Sequence, residues 1–188
     1  MSFILPLEEI EEYCKEYVKR RKDNSRFFMV NATINGYHHF QIRPLIGFDM
    51  LMRCVLEPQN RYDENSIKLV VPPLHELKLN TLDLVVRDRT GALVRNVAGT
   101  MAGRMPRVMS KVVCPAIKEG QITSASAVYI GSLKHGPSIL GDGPKLNCFY
   151  FFEVDSIENE NKLKKAIMDI HENSVILDIH ENISFITL

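Results

Sequence analysis

The spacing of hydrophobic positions changes period several times along this 188-residue chain. Over residues 6–22, Leu7, Ile10, Cys14, Tyr17 and Val18 recur at helical intervals with charges between them, which predicts an amphipathic helix. Pro6 falls near its first turn and Glu8, Glu9, Glu11 and Glu12 lie toward its positive end. Lys19, Arg20, Arg21 and Lys22 suit its negative end, and the same four residues also suit a nuclear-import signal. The helix is expected to pack on the domain that follows or on a partner.

From Arg26 the period becomes that of strands. Residues 27–34 and 40–42 are candidates, with Asn35-Gly36 as the turn between them. Residues 51–56 and 66–71 form a second pair around a polar stretch, Glu57 to Asn65, rich in turn formers. Residues 72–97 read as an insertion opened by Pro72-Pro73, with a hairpin turn at Arg87-Asp88-Arg89-Thr90-Gly91. A short buried strand follows at 97–102. Pro106 then stands where a first helical residue belongs, and Val108, Met109, Val112, Val113 and Ile117 make one apolar stripe up to a capping Gly120. Strands are expected at 126–130 and 147–154, separated by a Gly- and Pro-rich loop over 131–145.

Residues 157–168 read as a short helix. Asp169-Ile-His-Glu-Asn173 is repeated nine residues on as Asp178-Ile-His-Glu-Asn182, which suggests a small duplication forming a surface hairpin. On a strand, the neighbours in His171-Glu172 and in His180-Glu181 point to opposite faces, so each pair offers an ion one ligand at most. No metal is assigned there.

Composition narrows the class. The chain is 45% hydrophobic, enough for a sizeable core, and no stretch approaches the ~20 apolar residues of a membrane-spanning helix. The start lacks a basic segment before apolar residues, so no secretory signal is expected. Cys14, Cys54, Cys114 and Cys148 are scattered without any Cys-x-x-Cys pair, which argues against a zinc ribbon or a disulfide framework. A nuclear or cytoplasmic, non-secreted protein is expected. The net charge of zero conceals a segregation: residues 24–153 carry fifteen basic and ten acidic side chains, residues 154–188 three basic and seven acidic. A mildly basic middle suits a phosphate-binding surface but falls short of a strong basic stripe.

No nucleophile elbow, Walker loop, dinucleotide fingerprint or zincin motif occurs, so a binding module is expected rather than an enzyme, with no cofactor. The chemistry-bearing feature is Tyr62-Asp63, an aromatic beside a carboxylate in the 57–65 loop. Such a pair can stack on a flat group and accept a hydrogen bond. It can equally be a plain Asx turn, Asp63 bonded to local backbone and the ring lying on the domain.

Two segments together resemble the HIRAN domain. Glu57-Pro58-x-Asn60-x-Tyr62-Asp63-x-Asn65-Ser66-Ile67 matches that family's loop, and Gly103-Arg104-Met105-Pro106-Arg107 matches its second motif, with Met105 for the usual Leu or Val. The resemblance covers residues 28–154, ending on an aromatic strand. It implies an α+β, mainly β domain: an OB- or SH3-like β-barrel over 25–155 carrying the 72–97 insertion and a helix after Pro106. Residues 1–24 and 156–188 would be appendages, the latter a helix and hairpin. It further implies binding of the 3′ end of single-stranded DNA with a free hydroxyl. Tyr62 would stack on the terminal nucleotide, Asp63 would accept from the 3′-hydroxyl, and Asn60 belongs to the same loop. Arg104 and Arg107 would hold phosphates with Lys111 one turn further on, and His39 or Phe40, and Tyr129 or Ile130, would supply further aromatic or apolar contacts. The alternative is a protein–protein interaction module that keeps the barrel and engages a partner through the N-terminal helix or the acidic C-terminal region, with no membrane contact.

Overall fold

A computed structural model describes residues 7–20, 26–135, 144–173 and 185–187. The elements in chain order are α1 (Leu7–Arg20), β1 (Arg26–Ile34), α2 (Tyr37–Phe40), β2 (Met52–Leu56), β3 (Ile67–Val70), β4 (Val85–Arg87), β5 (Ala92–Leu93), α3 (Val94–Val97), β6 (Met101–Arg104), α4 (Arg107–Lys118), β7 (Ile122–His135), β8 (Pro144–Val154), α5 (Ile157–Asn173) and β9 (Phe185–Thr187). Seven strands form one curled antiparallel sheet in the order β6-β3-β2-β7-β8-β1-β9. The sheet is a half-barrel, as expected of an α+β, mainly β chain of OB-like form. Its edges meet where Asn35 bridges Arg104, each N–H donating to the other's carbonyl at 2.9 Å.

Strand alternation sends one set of side chains inside the curl and the other outside. Phe28, Val30, Ile34, Met52, Ile67, Leu69, Tyr150 and Phe152 fill the interior. Phe27, Met29, Val128, Ile130, Phe149 and Phe151 face outward, and Ile10 and Cys14 of α1 cover them. β1 and β8 are therefore apolar on both faces, because the sheet there is the middle of a sandwich. Tyr13 stacks on Phe48 at 3.8 Å beside that contact. α5 closes another side through Leu163 and Ile167, and its buried Glu160 accepts from Arg26 at 2.9 Å and Lys164 at 2.6 Å.

Several local expectations need correcting. Residues 40–42 are not a strand: Gly36 (φ +95°) starts a single helical turn that ends at Gln41 (φ +52°). The strand expected at 126–130 runs from Ile122 to His135, because Gly131 (φ +98°) lets the chain bend without leaving the sheet. The strand expected at 97–102 begins only at Met101, residues 94–97 being helical. Asp169–Asn173 continues α5 rather than forming a hairpin arm. Pro6, residues 21–24, the 136–143 loop, and the second Asp-Ile-His-Glu-Asn copy with His180 lie outside the described residues, as do the side chains of Leu7, Tyr17, Val18 and His171.

Candidate nucleic-acid interface

The connection from β2 to β3 is a turn built almost entirely from its own polar groups. Glu57 N–H donates to Ser66 O at 3.0 Å, which closes its base. Asn60 Oδ1 accepts from the Tyr62 and Asp63 N–H groups at 3.0 and 3.2 Å, and Asp63 Oδ1 accepts from Asn65 N–H at 3.0 Å. These are Asx turns, the local chemistry for which Asn and Asp are preferred in loops. They leave the side chain between them without support, and the ring of Tyr62 is 93% exposed. Of the two readings of Tyr62-Asp63, the structure combines halves. Asp63 is an Asx-turn carboxylate, yet the ring stands in solvent.

The second segment clamps this loop from below. Arg104, at the end of β6, donates from Nε to Glu57 Oε2 at 2.8 Å and from Nη2 to Oε1 at 3.1 Å. Ser66 Oγ donates to the same carboxylate at 2.6 Å. With the Arg104 guanidinium first and the Ser66 hydroxyl next, these donors outweigh desolvation and hold Glu57 down at about 2. A forked guanidinium–carboxylate contact fixes direction as well as distance. Arg104 thus braces the loop with the donors that were expected to meet phosphate.

Arg107 opens α4, and its Nε lies 3.6 Å from Asp63 Oδ2. The first intrahelical bonds, from Met109 and Ser110 N–H, go to Pro106 O, so the N–H groups of Arg107 and Val108 have no intrahelical partner. Lys111 lies one turn further along and is exposed. α2 flanks the corner from the other side, across the Asn35–Arg104 bridge. Phe40 lies against Gly36, close to Gly103. His38 and His39 are exposed with rings stacked at 4.9 Å, and the His39 ring is 6.1 Å from that of Phe40.

The structure therefore brings together Asn60, Tyr62, Asp63, Arg104 and Arg107, and places His39 and Phe40 beside the same barrel closure. It does not bring Tyr129 to the surface. That residue is 3% exposed, its alternation turns it into the barrel interior, and burial raises its phenol despite nearby Arg43. Ile130, on the other face, is buried under α1. Neither offers a stacking platform. Nothing in the sequence assigned a bracing role to Glu57. A Glu forty-seven residues before its Arg partner leaves no local signal.

Among solved structures, the fold is similar to the crystal structure of the HIRAN domain of human HLTF, with a TM-score of 0.50 and 10% sequence identity, covering 80% of this chain and 95% of that one. The chain has a HIRAN-like fold. No family model matches its sequence, and no curated protein does. At that identity the likeness is one of fold. Among the described residues no three or more His, Cys, Asp or Glu side chains gather into a metal-binding group, and no helix is long and apolar enough to cross a membrane.

Proposed function

We propose that the protein is a nucleic-acid-binding module that receives the 3′ end of single-stranded DNA carrying a free hydroxyl. The observation that carries this reading is the 93% exposed ring of Tyr62 on a loop braced by Asn60, Asp63 and Glu57. An exposed aromatic on a rigid base is a stacking platform, worth ~1–3 kcal/mol per base and indifferent to sequence. Asp63 Oδ2, which is not used by the turn, is the acceptor for the terminal hydroxyl. A terminal phosphate there would set negative charge against a carboxylate and be disfavoured.

Phosphate contacts fall to Arg107, Lys111 and the α4 start. Arg107 is 3.6 Å from Asp63 before any ligand arrives, so binding exchanges that weak pair for a phosphate contact. Arg104 acts through Glu57 and shapes the loop. Few free cations imply micromolar affinity and a shallow salt dependence. Fluorescence anisotropy with a ten-nucleotide single strand tests the reading: saturable binding at low salt, stronger for a 3′-hydroxyl than for a 3′-phosphate, is expected. Absence of saturation would sink it.

The balance of charge favours a second reading. Arg104 is paired with Glu57 and Arg107 lies near Asp63, so the surface around Tyr62 is not strongly positive. An exposed Tyr with Arg beside it is also the composition of a protein-binding hot spot. If no oligonucleotide binds, a protein-interaction module on the same barrel takes its place.

A further inference from the structure

β2 and β7 are neighbours in the sheet but pair only through Met52–Ala127 and Arg53–Ser126. Beyond these two rungs the strands diverge. The turn after α4 holds the start of β7 to that helix, with Gln121 N–H donating to Ala116 O at 2.9 Å. A register shift between Ile122 and Ser124 then bends β7 further. The divergence leaves an open groove of about 520 Å³ with Cys54 and Val55 on one wall, Thr123, Ser124 and Ala125 on the other, and Ile117 among the lining residues. Ile117 is ten residues along α4 from Arg107, ~15 Å by helix rise, so that wall of the groove lies away from Arg107, while Leu56 on the β2 wall adjoins Glu57 at the base of the Tyr62 loop.

The walls are strand edges. Glu57 N–H bonds Ser66 O, so the antiparallel ladder turns the backbone groups of Arg53, Val55 and Glu57 toward β3. Those of Met52, Cys54 and Leu56 then point the other way. Met52 meets Ala127, whereas Cys54 and Leu56 face the gap, and by the same alternation Ala125 faces it from β7. Strand edges of this kind recruit another strand.

We propose that this groove docks an extended, uncharged segment of a partner polypeptide, which adds as a strand antiparallel to β2 beside Cys54 and Leu56. Alternating N–H and C=O groups are what the walls lack, and a polypeptide backbone supplies them at strand spacing whereas a sugar–phosphate chain does not. The charge is balanced too. Arg53 pairs with Glu76, and Asp49 with Lys78, so the rim offers no net field to a charged occupant. Val55, 38% exposed on the outer face, meets the partner's alternate side chains, and Thr123 and Ser124 line the other wall, the Thr123 hydroxyl donating to Glu153 O at 3.4 Å. Small, β-branched or hydroxyl residues fit that lining. The proposal rests on the gap between β2 and β7 and not on the Tyr62 ring.

Amide hydrogen exchange of the whole chain, followed by NMR, comes first. The amides of Cys54, Leu56 and Ala125 should exchange at least tenfold faster than those of Arg53 and Val55. An end-blocked hexapeptide pool of Thr, Val, Ser and Ala should then shift the Cys54 and Leu56 amides and slow their exchange tenfold or more. The same pool N-methylated at alternate residues should bind at least tenfold more weakly, as should the unmethylated pool to the exposed-site variant Val55→Asp. Equal protection of Cys54 and Val55 in the free protein overturns the proposal. So does a pool that leaves the Cys54 and Leu56 amides unmoved at millimolar concentration, or a DNA decamer that protects Cys54 and Ala125 in its place.

Discussion

Gly103 and Ile34 approach so closely that a methyl group on Gly103 would lie 2.4 Å from Ile34 Cγ2, and 2.6 Å from the Asn35 carbonyl oxygen. The bridge that closes the barrel runs through the adjoining pair, Asn35 and Arg104. A side chain at 103 must push the strands apart at this bridge, and a backbone oxygen cannot rotate away. Gly103→Ala should therefore cost about 1–3 kcal/mol, a fall of several degrees in Tm for a chain of this size, measured by thermal denaturation. It should also weaken DNA binding, because Arg104 and the loop it braces move with the bridge. An unchanged Tm would show that the closure is loose.

The Glu57–Arg104 pair makes stability depend on pH in a defined window. Folding takes the Glu57 carboxyl from its ordinary value near 4.5 to about 2. Its contribution is fully present above the unfolded value and is lost as pH falls from there through the folded one. Solvent reaches the Arg104 side, so the contribution is about 2 kcal/mol rather than the full shift. Glu57→Gln should lower Tm by several degrees at pH 6, and the gap to wild type should shrink steadily between about pH 4.5 and 2. Denaturation scans across that range check it; a gap that holds constant down to pH 2 would show that the pairing is not what the substitution removes.

What the sequence made legible was local. Pro106 and Gly120 bracket α4, whose apolar stripe has the helical period, and Asn60 and Asp63 announce the Asx turns because their side chains accept from backbone N–H groups two or three residues on. Phe40, Gln41 and Ile42 alternate like a strand, but Gly36 and Gln41 at positive φ, with Phe40 packed near Gly103, make the segment a helical turn. Gly131 looked like the start of a loop because its positive φ inside a strand depends on the neighbouring strand. Tyr129 was misread for a related reason: which face of β7 is interior is decided by the curl of the whole sheet. The Arg104–Glu57 clamp joins the end of β6 to a distant loop and belongs to the fold alone.

Asn60 and Tyr62 should separate bracing from contact. Tyr62 is 93% exposed, so Tyr62→Ala should leave Tm within about a degree of wild type while lowering affinity for a single-stranded decamer by about 5- to 150-fold, the stacking energy of one base. Asn60→Ala removes the acceptor of two N–H groups and should cost about 1 kcal/mol of stability as well as affinity. Paired Tm and anisotropy measurements on the two variants give the split. Equal loss of stability in both would mean the ring is part of the fold.

Asp63 and Arg107 make the sharpest test, because they touch each other before ligand binds. If Asp63 accepts from the terminal hydroxyl, Asp63→Asn should lower affinity for a 3′-hydroxyl end about tenfold and change a 3′-phosphate end much less, or even improve it by removing a repelling charge. Asp63→Ala additionally loses the acceptor of the Asn65 N–H, so its excess over Asp63→Asn reports the turn. Arg107→Ala should weaken both ends alike and reduce the slope of log affinity against log salt by about 0.7, the share of one phosphate on a single strand. In the double variant, part of the Arg107 effect should vanish, since Arg107 no longer has to leave Asp63. Titrations at three salt concentrations on the wild type and the four variants measure all of this. Strict additivity, with no preference for either 3′ end in the wild type, would remove Asp63 from the site.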